Sequence, residues 1–243
     1  MISIICVYNN KEILNEYILK SLKTQTSDYE LILIDNTENK FQSAAEALNY
    51  GGKKANGKYL MFVHQDIDLL SENWIKNVEE ILDLIPELGI AGVAGKLDGK
   101  NGIISNIKDG IPPKQTGTTR IKTFMKVQTL DECLFIIPKS VFEILTFDEE
   151  TCDGWHLYAV DFCLNVMKIG FFVYVLPLSL YHRSSAPSVS EDYYNSVKKM
   201  LNKYKNDYKW VYTTMGNWNT SYPFFIQLIV NKFLFKITKI RKG

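Results

Sequence analysis

Between residues 2 and 95, short apolar runs alternate with amphipathic segments, and this alternation constrains the fold more than any other feature of the chain. The runs are ISIICVY, ELILIDN, YLMFVHQ and GIAGVAG, and helical patterns fill residues 11 to 24, 40 to 55 and 71 to 84. Two strands can pair side by side in the same direction only if a crossover of a dozen or more residues joins them, and such crossovers are right-handed. The pattern therefore predicts an α/β domain with a mainly parallel central sheet flanked by helices. With 46% hydrophobic residues in 243, the chain can bury a sizeable core. In sheets of this kind, functional groups gather beyond the carboxyl ends of the strands. Tyr8, Asn9, Asp35, Asn36, His64 and Asp66 all stand there, each polar at the end of an apolar run.

Charge and cysteine usage exclude several classes. The 28 basic and 27 acidic residues nearly cancel, so no global field recruits nucleic acid, and any anion must be bound by a local site. Cys6, Cys133, Cys152 and Cys163 lie far apart without a CxxC pair, which reads as buried thiols in a reducing compartment. The N-terminal MISIICVYNN reads as a first strand, not a signal peptide. No run of about 20 apolar residues offers a membrane span. The expectation is a cytoplasmic protein.

From Gly95 to Thr129 the alternation dissolves into a segment rich in Gly, Lys, Asn and Pro, including KDGIPPKQTGTTR, of the kind that forms binding loops. A second block follows: ECLFIIPKSVFEIL, a helical pattern over residues 155 to 168, the strand FFVYVLP and the polar end YHRSS. From Val189 the chain reads as helices rich in Tyr and Lys, ending in FFIQLIVNKFLFKITKIRKG. Two readings of this last segment stay open. It packs on the domain with Lys232, Lys236, Lys239, Arg241 and Lys242 in water, or it lies as a peripheral contact at the inner face of a membrane.

The chemistry concentrates in HQD. On a strand, His64 and Asp66 point to one side and Gln65 to the other, with Asp68 nearby. A carboxylate and an imidazole together make half of a cation site, and the imidazole tilts the preference from magnesium toward manganese or a later metal. Alone, the pair reads equally well as the polar end of a strand.

The wider context decides. The segment AEALNYGGKKANGKYLMFVHQD resembles the stretch of family 2 glycosyltransferases that reads A-x-N-x-G-x-x-x-A-x-G-x-Y and runs through an apolar strand into Asp-x-Asp. Ala47, Asn49, Gly51, Ala55, Gly57 and Tyr59 match, and His64 and Asp66 take the two Asp positions. ISIICVYNN and LILIDNT resemble the family's first two strands, and GWHLYAVDFCL resembles a bacterial branch that carries the HQD variant. The resemblance implies a GT-A type, Rossmann-like fold over residues 1–187, with a nucleotide-sugar-binding half (1–95) and an acceptor-binding half (96–187), followed by a helical extension (188–243). It implies that Tyr8, Asn9, Asp35 and Asn49 position the nucleoside, with His64, Gln65 and Asp66 beside the donor. A divalent metal, Mn2+ or Mg2+, is then expected on Asp66, His64 and His182, and Arg183 adds a contact to phosphate.

The general base departs from the pattern, because the family's acidic position falls on Ala159. Asp161 is the first candidate, with His156 and Asp153 as alternatives; in a regular helix residues 156 and 161 face about 140° apart, so either His156 lies before the first full turn or only one of them serves. Trp155 and Tyr158 are of the types that stack on acceptor sugars. The expected function is transfer of a sugar from a UDP- or dTDP-sugar to a hydroxyl of a glycan or lipid-linked acceptor, with inversion, in bacterial surface polysaccharide or glycoconjugate synthesis. Two rivals stand beside it. One is a catalytically lapsed saccharide-binding module; the other is a sugar nucleotidyltransferase, which would need an N-terminal Gly-rich phosphate loop that this sequence lacks.

Overall fold

The computed structural model describes residues 1–100, 102–184 and 190–230. Seven strands form its central sheet, in the order Met125–Val127, Phe172–Val175, Leu88–Gly92, Leu134–Pro138, Tyr59–Val63, Ile2–Tyr8, Tyr29–Asp35. Five run in one direction. Leu134–Pro138 and Met125–Val127 run against them, so Leu134–Pro138 is antiparallel to both of its neighbours. This inverted strand matters for the site, because its beginning lies at the edge where the parallel strands end: Leu134 pairs with Val63 and Pro138 with Tyr59.

Strand alternation loads both faces of the sheet. Ile2, Ile4, Cys6, Tyr59, Met61 and Val63 pack on one side with Leu14, Ile18, Trp74, Ile75 and Val78 from the helices Lys11–Glu16, Ile18–Leu22 and Trp74–Leu82. Ile5, Leu60 and Phe62 point the other way, into Ala44, Ala47, Leu48, Phe142, Phe147 and Phe162. Helix ends are set locally: Asn10 Oδ1 accepts from the amides of Glu12 and Ile13, and Ser43 Oγ accepts from the amide of Glu46.

The A-x-N-x-G-x-x-x-A-x-G-x-Y stretch turns out to be a packing device. A Cβ on Gly51 would come within 2.6 Å of Ile5 and Ile34, so the glycine lets Ala44–Gly52 lie on the first two strands. Gly57 approaches the first strand so closely that its amide donates to Ser3 Oγ at 2.7 Å. Asn49, expected at the nucleoside, is buried instead. Its amide nitrogen donates to Phe147 O and Glu149 Oε1, and its Oδ1 accepts from Phe147 N. An Asn on the inner face of a helix joins the chain 100 residues away rather than a ligand.

The segment after Lys96 is built from two-residue strands: Ile104–Ser105, Lys108–Asp109 and Lys114–Gln115. They form small sheets beside the site, and Lys108–Asp109 pairs in parallel with Tyr181–His182. The helix Tyr158–Lys168 lies between the sheet and the helix Glu191–Tyr204, which is why it is apolar nearly all round. Beyond Tyr204 the expected helical extension contains a hairpin, Trp210–Thr213 with Gly216–Asn219. Gln128 Nε2 donates to Trp210 O and its Oε1 accepts from Tyr212 N, while Thr129 Oγ1 donates to Tyr212 O, so the hairpin is stitched to the domain. Lys232, Lys236, Lys239, Arg241 and Lys242 lie outside the described residues.

Candidate active site

The first, second and third strands end at Tyr8, Asp35 and Val63, and their polar successors converge on one edge of the sheet. Tyr8 Oη donates to Asp35 Oδ2 at 2.8 Å, and Thr37 donates to Asp35 Oδ1 through both its amide and its hydroxyl. These bonds hold the exposed Asp35 carboxyl well below the usual range, with the Thr37 hydroxyl first among them. Gln65 bridges the strand ends: its Oε1 accepts from the amides of Asn9 and Asn10 and its Nε2 donates to Asn9 Oδ1. Tyr8, Asn9, His64, Gln65, Asp66, Trp155 and Tyr158 line a cavity of about 400 Å³. Asp35 stands beside it, tied to it through Tyr8.

His64, Asp66 and His182 form the metal-type cluster. Their potential ligand atoms all lie within 4.8 Å of one another. His182 Nε2 is 3.4 Å from Asp66 Oδ1, and its Nδ1 is 3.0 Å from Asp109 Oδ1. A carboxylate behind a ring nitrogen fixes the tautomer and turns the other nitrogen toward a cation, a common arrangement around metal-bound histidine. Without an ion, burial works against a charged His182, but Asp109 and Asp66 overcome it and raise its pKa to about 10, so a divalent ion would have to displace the Nε2 proton to bind there. Burial and the neighbouring His182 lower His64 to about 4, so His64 is a neutral imidazole, with Nε2 3.0 Å from Tyr158 Oη. One carboxylate and two imidazoles suit a borderline divalent ion better than magnesium, and the cluster fits such an ion. Arg183 lies to the side, its guanidinium 5.8 Å from the Tyr17 ring and its amide bonded to Asp66 O.

A second cavity, also of about 400 Å³, borders this cluster at His64 and His182. Asp109, Asp131, His156, His182, Tyr193 and Thr214 are among its lining residues. Among the described residues, His64 and Glu132 alone line both cavities.

The helix after residue 157 overturns two expectations. Asp161 reaches neither cavity. It is buried, its Oδ1 accepts from Lys203 Nζ at 2.6 Å and Tyr204 Oη at 2.8 Å, and its Oδ2 accepts from Asn165. A carboxylate so engaged fastens one helix to another and has no lone pair aimed at a substrate. Tyr158 is the second correction. Its ring is buried in contact with Phe135 and Phe147, so only the hydroxyl reaches the site and no face is free to stack on a sugar. Trp155, 42% exposed, does offer a face. His156 precedes the helix and borders the second cavity and a third one, with Nε2 3.4 Å from Ser190 Oγ. Asp153 is paired with Lys199.

Sequence reasoning missed Asp109, Asp131 and Glu132. The last two stand just before the inverted strand, and attention to strand C-termini passes over them, although their place before the apolar run CLFII is visible. Burial first, and then the adjacent Asp131, raise the Glu132 pKa to about 8, against the pull of the amides of residues 157 to 159. Its Oε1 is buried and has no hydrogen-bond partner among the described residues.

The order and inversion of strands, with a polar cluster where the third strand ends, define an α/β glycosyltransferase fold of GT-A type. A family model described as "Glycosyltransferase like family" matches residues 3–213, and the chain belongs to that family. A solved structure of residues 1–349 of TarS from S. aureus, in complex with UDP-GlcNAc, is similar with a TM-score of 0.58 and 15% identity; the match covers 84% of this chain and 66% of that one. GalNAc-T7 with UDP, GalNAc and Mn2+ gives a TM-score of 0.62 at 14% identity, covering 86% of this chain and 49% of the other. The mannosyltransferase PcManGT from Pyrobaculum calidifontis, with GDP-Man and Mn2+, gives 0.53 at 11%, covering 84% and 61%. A curated relative from Fuscovulum blasticum, "ATP synthase subunits region ORF 6", is 22% identical over 157 residues, 63% of this chain. The chain spans 61% of that relative's length.

Proposed function

We propose that this chain transfers a sugar from a nucleoside diphosphate sugar to a hydroxyl acceptor, with UDP or dTDP as the carrier and a divalent ion as cofactor. One observation carries the reading. The first cavity, next to the His64, Asp66 and His182 cluster, has no lysine or arginine among its described lining residues. A leaving diphosphate carries about two to three negative charges that must be met by something. A divalent ion held by Asp66, His182 and His64 would supply that positive charge.

The chain's own residues divide the remaining work. Asp35, kept ionised, would accept an N–H from a uracil or thymine base. Tyr8, Asn9 and Gln65 shape the cavity wall that takes the nucleoside. Trp155 offers its indole face on the same cavity. The second cavity takes the acceptor, with His156 at its border, and an in-line single displacement between the two cavities inverts the anomeric centre. The setting favoured by the resemblance is a bacterial surface glycan or glycoconjugate.

Membrane contact is part of the same proposal. Phe225, Ile226, Ile229 and Val230 are each at least half exposed on a helix spanning 224–230. In the sequence, five basic residues and no acidic ones follow within the next 13. Among the described residues no helix is long and apolar enough to cross a membrane. An apolar helix face followed by basic side chains suits the surface of an anionic bilayer, where lipid-linked acceptors reside.

Thermal unfolding tests the core of the reading. UDP or dTDP raises the melting temperature in the presence of Mn2+, and excess chelator removes the rise. Equal stabilisation with and without chelator would refute the metal-dependent site.

A further inference from the structure

We propose that Glu132 is the catalytic base, the group that takes the proton from the attacking hydroxyl. This assignment rests on the transferase reading above and supplies the part that Ala159 and Asp161 leave vacant. Four observations carry it.

Position comes first. A base in a displacement reaction must stand where donor and acceptor meet, and Glu132 is one of two described residues that line both cavities. The other, His64, belongs to the cation cluster.

Availability comes second. Glu132 Oε1 is buried without a partner, and no ion pair engages Glu132 among the described residues. The amides of residues 157 to 159 act on the carboxylate, but Oε1 itself makes no hydrogen bond among the described residues, and a buried polar oxygen left in that state calls for a partner such as a ligand.

The third observation is that the other acids are committed. Asp161 is held by Lys203 and Tyr204, Asp153 by Lys199, and Asp66 by His182. Asp131 accepts from Thr214 Oγ1 at 2.8 Å and from the amide of Cys133 at 3.1 Å.

Fourth, the backbone holds Glu132 at this edge. The amide of His64 donates to Cys133 O at 2.9 Å, so the residue after Glu132 is bonded directly to the residue that follows the third strand. The titratable groups around Glu132 are Asp131 on its own segment, Cys152, Tyr158 and Cys163 before and on the helix Tyr158–Lys168, and Tyr193 on Glu191–Tyr204. No lysine or arginine is among them, which fits a raised proton affinity suited to abstracting a hydroxyl proton near neutral pH.

The step balances. As the acceptor oxygen bonds to the anomeric carbon, its proton passes to Glu132 Oε1; the bond from that carbon to the diphosphate oxygen breaks, and the electron pair leaves with the diphosphate. The carboxylic acid so formed loses its proton to water after product release.

Two nucleophiles separate a base from a structural carboxylate. Water must lose a proton as it attacks, whereas azide carries none. A panel of UDP-hexoses is incubated with Mn2+ and the wild-type chain, and the one hydrolysed fastest is used with Glu132→Gln, with and without sodium azide. We expect hydrolysis to fall roughly 100- to 10,000-fold in Glu132→Gln, with formation of the glycosyl azide and UDP affinity unchanged. Glu132→Asp, which keeps the charge one methylene back, retains an intermediate hydrolysis rate. Wild-type hydrolysis in Glu132→Gln, or loss of azide transfer in parallel with hydrolysis, overturns the assignment while leaving the transferase intact. A wild type that neither binds UDP nor hydrolyses any member of the panel overturns the transferase reading, and this assignment falls with it.

Discussion

At the scale of single residues, the site is a set of carboxylates with different fates, decided by what each one faces. Asp109 accepts from His182 Nδ1 and so orients the ring with its Nε2 toward Asp66. Asp109→Asn keeps the shape and removes the charge; the expected result is a roughly 10- to 100-fold loss of Mn2+ affinity in a direct metal titration, with the melting temperature of the metal-free chain little changed. Unchanged affinity would detach Asp109 from the metal site. Glu132 also has a signature in stability. Its pKa rises from the ordinary 4.5 to about 8 on folding, so between these values the folded chain keeps a proton that the unfolded chain has released. The contribution of Glu132 to stability is therefore present below about pH 4.5 and is lost as pH climbs toward 8. Relative to Glu132→Gln, the wild type should lose stability over that window, and parallel stability curves for the two proteins would show that the carboxyl is not desolvated.

At the scale of elements, the junction between Tyr158–Lys168 and Glu191–Tyr204 is where polar chemistry serves architecture. Lys203 reaches both Asp148 and Asp161, and removing it strands Asp161, whose side chain is only 2% exposed. Lys203→Met should cost about 3 kcal/mol in urea denaturation, near the low end for a broken buried pair because Lys203 is itself a quarter exposed. Asp161→Asn should cost less, since Lys203 keeps Asp148, and it should leave donor turnover near wild type. Lost turnover at undiminished stability would return Asp161 to the site. The sequence makes these two helices legible through their periodicity, and it makes Tyr8, His64 and Asp66 legible because each follows an apolar run. It cannot show which side of a helix faces a cleft, so Asn49 and Asp161 read as ligand-facing though both point inward. Nor can it show that Leu134–Pro138 enters the sheet upside down, which is what brings Glu132 to the active edge. Asp109 is invisible for a related reason, since its parallel pairing with His182 is made by a two-residue strand in an irregular loop.

At the scale of the whole molecule, two features extend beyond the sheet. The exposed apolar face at 225–230 gives a direct assay. The chain should cosediment with vesicles containing phosphatidylglycerol more than with neutral ones, and Phe225→Ser with Ile229→Ser should abolish the difference without lowering the melting temperature. Equal sedimentation of variant and wild type would leave the face without a membrane role. The second feature is the wall shared by the two cavities. Since His64 and Glu132 border both, a molecule in one cavity changes the surface met by a molecule in the other, and the two affinities are thermodynamically coupled. Whatever factor a bound donor imposes on acceptor affinity, the acceptor must impose on donor affinity in return. If the donor tightens the second cavity, substrates enter in a preferred order, donor first, and spent nucleotide lingering in the first cavity keeps hold of the newly lengthened product in the second.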